Sequence, residues 1–103
     1  MDVKAWIETS GVTVAEDIYI DPPTMPFIVF SDNIDAGYRD LSTKMLTHNV
    51  IIDLLAEGID STSEAAIEAI LTDLDTRYTK SRAWSDADNC FVTRYDANFE
   101  ETE

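Results

Sequence analysis

The stretch Leu46-Thr-His-Asn-Val-Ile-Ile-Asp-Leu-Leu-Ala56 decides the fold, because its side chains alternate with the period of a β-strand. One face would carry Leu46, His48, Val50, Ile52, Leu54 and Ala56, and the other Thr47, Asn49, Ile51, Asp53 and Leu55. Both faces hold apolar groups. We therefore expect either a central strand in a sheet covered on both sides, or one covered by its own helices on one side and a neighbouring subunit on the other.

A helix is predicted directly after this strand. The segment Ser61-Thr-Ser-Glu64 has the form of a capping box, in which the side chains of Ser61 and Glu64 would each accept a hydrogen bond from the other residue's backbone amide. Apolar residues then recur with helical spacing at Ile67, Ile70, Leu71, Leu74 and Tyr78. This stripe is expected to pack on the sheet face that carries Val50, Ile52 and Leu54.

The N-terminal part predicts one helix and two strands. Residues 2 to 10 have the spacing of a short amphipathic helix, and Gly11 stands where a helix-ending glycine belongs. Strands are predicted at Val12 to Ile20 and, after a proline-rich connector, at Phe27 to Phe30. The polar segment Ser31 to Gly37 has the composition of an exposed hairpin or loop.

The C-terminal part predicts two strands joined by a turn. Ser81 to Ser85 suits a short strand, Asp86 to Asn89 a turn, and Cys90 to Phe99 a final strand. The acidic residues 100–103 are expected to form a mobile tail. Residues 1–103 are thus predicted to be a single α+β domain, a mainly antiparallel sheet of about four to five strands with two helices packed on one face.

The charge balance argues against several classes of protein. With 21 Asp and Glu against 7 Lys and Arg, the net charge is −14, which repels nucleic-acid phosphates and anionic lipid surfaces. No apolar run approaches the roughly 20 residues of a membrane helix, and no signal segment follows Met1. We therefore expect neither specific DNA binding nor membrane insertion.

The residues that carry chemistry are few. A calcium loop aligned on Asp32 and Gly37 would place Ile34 and Ala36 at ligand positions, and one starting at Asp86 fails similarly. A zinc site would need more than one Cys and one His. Because His48 is the single imidazole and no glycine-rich or nucleophile motif accompanies it, we expect a structural or partner-facing histidine. The sequence predicts no catalytic residue, no metal and no cofactor.

The order of segments resembles one family, the tail terminator or tail completion proteins at the neck of long-tailed phages. Several members of this family combine a short N-terminal helix, a Pro-Pro-Tyr-Ile-Val-Tyr-like strand, a hairpin, a strand of the type Tyr-Gln-Ile-Glu-Leu-Tyr, a capped helix of the Glu-x-x-Ile-Glu-x-x-Leu kind and a final aromatic strand that ends near a Tyr-Glu-like tail. The matching stretches are Met25-Pro-Phe-Ile-Val-Phe30, His48-Asn-Val-Ile-Ile-Asp-Leu-Leu55, Ser63-Glu-Ala-Ala-Ile-Glu-Ala-Ile-Leu71 and Cys90-Phe-Val-Thr-Arg-Tyr-Asp96. Phe27, Phe30 and Leu55 stand where tyrosines are frequent.

The resemblance implies a structural virion protein that is assembled in the host cytoplasm and resides in the tail or neck of the particle. It would form a homo-oligomeric ring of six at the head-proximal end of the tail tube. There it would bind the tail tube protein, end tube polymerisation and join the tail to a head-completion or neck protein. DNA would pass through the ring without specific binding, since a negative lumen offers no cations to hold it.

Several apolar residues lie outside the predicted core and are candidates for the ring interface. The loop Ser31 to Asp40 is expected to present an apolar anchor inside an acidic rim, and a solvated hairpin tip is the alternative. The predicted interface residues are Asp32, Ile34, Asp35, Tyr38, Leu41, Ile51 and Leu55.

Two other functions fit the same sequence. A neighbouring neck subunit, such as a head-completion or stopper protein, is also a small ring-forming domain. An acidic decoy that mimics DNA and inhibits a nuclease would match the size and charge, although its acids would be expected in rows on exposed helix faces. The assembly state separates the decoy from both ring proteins.

The excess of acidic residues is also typical of proteins that remain soluble in molar salt, as in a tailed virus of a halophilic archaeon. In such brine the screening length falls to about 3 Å, so the self-repulsion of an acidic surface is small. An ordinary acidic domain is the alternative.

If the acidic surface is an adaptation to brine, transfer from molar KCl to dilute buffer should lower the melting temperature of the domain and of its ring. Unscreened like charges then repel over about 10 Å. Thermal unfolding at both ionic strengths measures this effect. A melting temperature that stays constant or rises in dilute buffer would exclude the adaptation to brine.

Overall fold

The structure, a computed structural model, describes residues 2–15, 23–38 and 44–102. In these ranges it contains two helices and four strands. They are α1 (Val3–Glu8), β1 (Phe27–Tyr38), β2 (Lys44–Ala56), α2 (Ser61–Asp73), β3 (Arg77–Ser85) and β4 (Cys90–Thr102). Neither helix has the length and apolarity needed to cross a membrane.

The four strands form one antiparallel sheet in the order β1-β2-β4-β3. Both helices lie on the same face, because Val3 and Ile7 of α1 and Ile67 and Leu71 of α2 belong to one apolar cluster with the sheet. The predicted α+β class is confirmed, with four strands in the described part of the chain. A fifth strand was expected at Val12 to Ile20; its described residues make only a single parallel bridge, and residues 16–20 lie outside the description.

The predicted alternation along β2 is confirmed. His48, Val50, Ile52 and Leu54 are all buried, and we call the side of the sheet that carries them the covered face. From β4, the buried residues Thr93, Tyr95 and Ala97 lie on the same face, as the sequence pattern predicts. The main core is therefore a layer between this face and the two helices.

Helix α2 begins one residue earlier than the capping box predicts. Asp60 is the N-cap, and its carboxylate accepts from the Ser63 amide at 3.0 Å and from the Ser63 hydroxyl at 2.9 Å. A carboxylate is an equally good cap and also suits the positive end of the helix dipole. Glu64 is thereby freed from the predicted capping role and points into the molecule, where it is 4% exposed.

The apolar stripe of α2 packs on the sheet as predicted, apart from its C-terminal end. Ile67, Ile70 and Leu71 are buried. Leu74 is the half-buried C-cap residue, and Tyr78 belongs to β3 instead of the helix.

The predicted loop over Ser31 to Asp40 is wrong for its described residues, because β1 continues to Tyr38. Residues of this segment pair with β2, for example Ile34 with His48 and Tyr38 with Lys44. Turn-forming Asn33, Asp35 and Gly37 are tolerated here because β1 lies at the sheet edge and these residues are exposed. The residues that join β1 to β2, 39–43, lie outside the description.

The predicted mobile tail also differs from the structure. Glu100 and Glu101 belong to β4 and pair with Thr47 and Leu46. Because β2 begins at Lys44, its first residues offer backbone partners that extend β4 beyond Phe99. The turn predicted at Asp86 to Asn89 is confirmed.

Leu71 is fully buried between α2 and the sheet, so Leu71→Ala should leave a cavity. We expect a loss of about 2 to 5 kcal/mol in the free energy of unfolding, measured by chemical denaturation. Leu74→Ala, at the half-buried helix end, is the control and should cost less. A loss below about 0.5 kcal/mol for Leu71→Ala would contradict this packing.

Candidate assembly interface

The predicted interface residues do not form one patch. Asp32 and Ile34 lie on the covered face of the sheet, whereas Asp35 lies on the opposite side, which we call the open face. Ile51 and Leu55 also belong to the open face. For Tyr38 the structure gives only the backbone pairing, and Leu41 lies outside the description.

Asp32 has a role inside the protein. One of its carboxylate oxygens lies 2.9 Å from Nδ1 of His48, and Glu101 of β4 places an oxygen 3.3 Å from Nε2. The imidazole is 2% exposed and stacks on Phe99 with 4.7 Å between ring centroids. His48 therefore connects β1, β2 and β4 inside the protein. Of the two roles predicted for it, structural and partner-facing, this geometry favours the structural one.

Ile34 remains available to a partner. It pairs with His48 across the sheet, but its position on the edge strand leaves it 52% exposed. Asp35 beside it is also exposed and accepts from the Asn49 amide at 3.3 Å. An exposed isoleucine with neighbouring carboxylates has the predicted form of an apolar anchor in an acidic rim.

The open face has an apolar surface around one ion pair. Arg94 of β4 donates to both carboxylate oxygens of Asp53 on β2, at 2.8 and 3.0 Å. Val29, Ile51 and Val92 flank this pair and are half-buried. Neither described helix covers this face, as expected for a strand whose second side is available to a neighbour.

Leu55, which was predicted to belong to the interface, is buried. It is 5% exposed and packs in a second, smaller cluster with Ala15, Phe27 and Cys90. The segment after α1 forms this cover, because the Ala15 amide donates to the carbonyl of Ile28 at 2.8 Å. Leu55 is therefore covered by its own chain and does not contribute to an exposed patch.

A buried carboxylate joins α2 to the edge strand β3. Glu64 accepts from Nε of Arg82 at 2.9 Å and from the Thr93 hydroxyl at 2.8 Å, and Nζ of Lys80 lies 3.0 Å away. The hydrogen bond from Arg82, aided by those from Lys80 and Thr93, outweighs burial and lowers the pKa of Glu64 to about 2. The Tyr95 hydroxyl donates to Glu68 at 2.9 Å, and burial together with this bond raises its pKa.

Strand β3 is an exposed and cationic edge that the sequence analysis did not assign to the interface. Its sequence, Arg-Tyr-Thr-Lys-Ser-Arg-Ala-Trp-Ser, contains three cations and no acid. Trp84 is 48% exposed, although it makes an edge-to-face contact with Phe91 and donates to Asp86 at 3.0 Å. The clustering of Lys and Arg in this segment, in a chain of net charge −14, is the sequence signal from which this surface could have been predicted.

No family model matches the chain, and no curated protein is similar to it. The fold, however, resembles that of a chain in a solved structure titled "Virion of native gene transfer agent (GTA) particle". The TM-score is 0.55 and the sequence identity 12%, and the match covers 93% of this chain and 84% of that one. The two chains therefore share a fold over almost their whole length.

The cluster around Glu64 generates a prediction on acid stability. Because the folded-state pKa is lowered from 4.5 to about 2, this carboxylate stabilises the fold above about pH 5, and the contribution is lost as the pH falls towards 2. This contribution to the free energy of unfolding is about 3 kcal/mol. Glu64→Gln should remove about that much unfolding free energy at pH 7 and flatten the pH dependence between 5 and 2.

The control is Asp53→Asn, which breaks the exposed pair with Arg94 and should cost about 1 kcal/mol or less. Urea denaturation across this pH range measures both variants. An acid dependence that is unchanged in Glu64→Gln would contradict the assignment.

Proposed function

We propose that this chain is a structural virion protein of a tailed particle, and that it acts as a tail terminator. The observation that carries the proposal is the shared fold with a chain of a gene transfer agent virion, which extends over 93% of this chain. The order of strands and helices that resembles the tail terminator family supports the finer role. The protein would work by assembly and would use no catalytic residue, metal or cofactor.

In this role six copies form a closed ring at the head-proximal end of the tail tube. A closed ring uses heterologous contacts, so each copy must carry two different surfaces that match. The described residues offer such surfaces, since Ile34 lies exposed on one edge strand and Trp84 on the other. The ring would contact the tail tube protein on one side and a head-completion or neck protein on the other.

The charge suits a conduit for DNA. With a net charge of −14, the surface repels phosphates and releases no counterions on contact with DNA. DNA could then pass the ring without being retained. The protein would accordingly be assembled in the host cytoplasm and reside in the tail or neck of the particle.

The proposal is tested by imaging particles that are produced without this chain. Tail tubes of irregular, excessive length that are not joined to heads are the result expected for a missing terminator. Tails of normal length that lack heads would instead indicate a neighbouring neck subunit. Normal particles, combined with a monomeric protein that inhibits a nuclease, would overturn the proposal in favour of the acidic decoy.

Ile34→Asp is expected to give a folded monomer that no longer forms rings. The exposed anchor would become a charge beside Asp32 and Asp35, while the core stays intact. Negative-stain imaging detects the rings and circular dichroism the fold. Ile59→Asp is the matched control, because Ile59 is 58% exposed on the link between β2 and α2 and should tolerate the change. Rings in both variants would exclude Ile34 from the interface.

A further inference from the structure

The two edges of the sheet differ in a way that bears on assembly. β1 forms one edge and β3 the other. The outer side of β1 is bridged at Ile28 by residues 13–15, and among the described residues no further strand pairs with it up to Tyr38. The nine residues of β3 also pair on one side only within the described ranges. Unpaired strand edges are templates for another strand.

The edges carry opposite charge. Strand β3 has Arg77, Lys80 and Arg82 and no acid, whereas β1 has Asp32 and Asp35 and no cation. Four of the seven Lys and Arg of the chain lie between Arg77 and Arg94. Lys80 and Arg82 are held by Glu64, but Arg77 is exposed and makes no ion pair with the described residues.

These charges select between the possible pairings of two copies. Two β3 edges would repel each other, and so would two β1 edges, because like charges on adjacent strands are destabilising. A β3 edge beside a β1 edge brings opposite charges together. The edge charges therefore disfavour a two-fold dimer through like edges and favour a head-to-tail contact, which is the type of contact that closes into a ring.

The strand directions permit this contact. Each neighbouring pair in the order β1-β2-β4-β3 is antiparallel, so β1 and β3 run in opposite directions. A copy placed alongside by rotation about an axis along the strands presents its β1 antiparallel to β3 of the first copy. Ile34 and Trp84, which are 52% and 48% exposed, lie on the covered face at these two edges and would lose exposed surface to the neighbour.

We infer that a second copy of this chain binds edge to edge, with β3 of one protomer against β1 of the next, so that one antiparallel sheet continues from copy to copy. This inference rests on the proposed ring and identifies the surfaces that form it. The cations on β3 then have two functions. They hold α2 through Glu64, and they disfavour pairing of β3 with a strand that carries cations, including β3 of another copy.

Two single substitutions test the contact without disturbing the core. Arg77→Glu places an acid on the β3 edge, and Asp35→Arg places a cation on the β1 edge; both residues are exposed. The control is Ala5→Glu combined with Ala69→Glu, which changes the net charge by the same two units as Arg77→Glu at exposed helix positions. Sedimentation velocity over a concentration series gives the assembly state, at the lowest KCl concentration at which the wild type assembles.

Each single variant should need at least tenfold more protein than the wild type to assemble, while the control should assemble like the wild type. Mixing the two variants should then restore association, because Arg77→Glu keeps an intact β1 edge and Asp35→Arg an intact β3 edge. A mixed species that forms only on mixing supports head-to-tail pairing of unlike edges. An isologous contact would use only one of the two edges, so one of the two variants would assemble like the wild type.

The inference is overturned if the wild type stays monomeric at all concentrations, if either variant assembles like the wild type, or if mixing restores nothing. Rings that form in both variants would contradict the edge contact without contradicting the proposed role as a tail terminator. Conversely, edge-dependent assembly of a protein that is absent from imaged particles would support the edge contact and contradict the proposed function.

Discussion

A buried carboxylate determines how the sheet and the second helix fit together. Glu64 is 4% exposed, and a charge in such a position is costly unless donors surround it. Arg82, Lys80 and Thr93 supply those donors from the two neighbouring strands β3 and β4. The need to neutralise Glu64 therefore places cations on the edge strand β3, in a chain that has few of them. This ion cluster therefore fixes α2 to β3 and accounts for two of the three cations on that edge.

Much of the fold could be predicted because its signals are local. The alternation along β2 and the stripe on α2 are periodic patterns, and each identifies its buried face without knowledge of its partner. The errors concern contacts between distant segments. Ser31 to Gly37 has the composition of a turn, yet it is a strand because β2 continues alongside it. Glu100 and Glu101 are ordered in β4 for the same reason. Backbone pairing at the end of a strand depends on the partner's length, which no local pattern records.

The candidate interface could be predicted only in part, for a related reason. Ile34 and Asp35 are exposed on an edge strand, as an anchor and its rim would require. Leu55 was assigned wrongly because the segment that covers it, near Ala15, is distant in sequence. Trp84 and the cations around it were missed because only the strand order makes β3 an edge. From the sequence alone, β3 could equally have been a central strand.

The charge distribution suggests how such an acidic chain could associate with itself. A net charge of −14 opposes any contact between copies, and this repulsion weakens as salt shortens the screening length. A local attraction between the β3 and β1 edges would be weakened by the same salt. In the proposed ring the balance would favour assembly in brine, because the repulsion is summed over the whole surface, whereas the proposed edge contact would also contain backbone hydrogen bonds and apolar burial that salt does not screen. In the proposed ring, the cations of β3 would therefore determine which edges meet, and the uncharged part of the contact would hold the copies together.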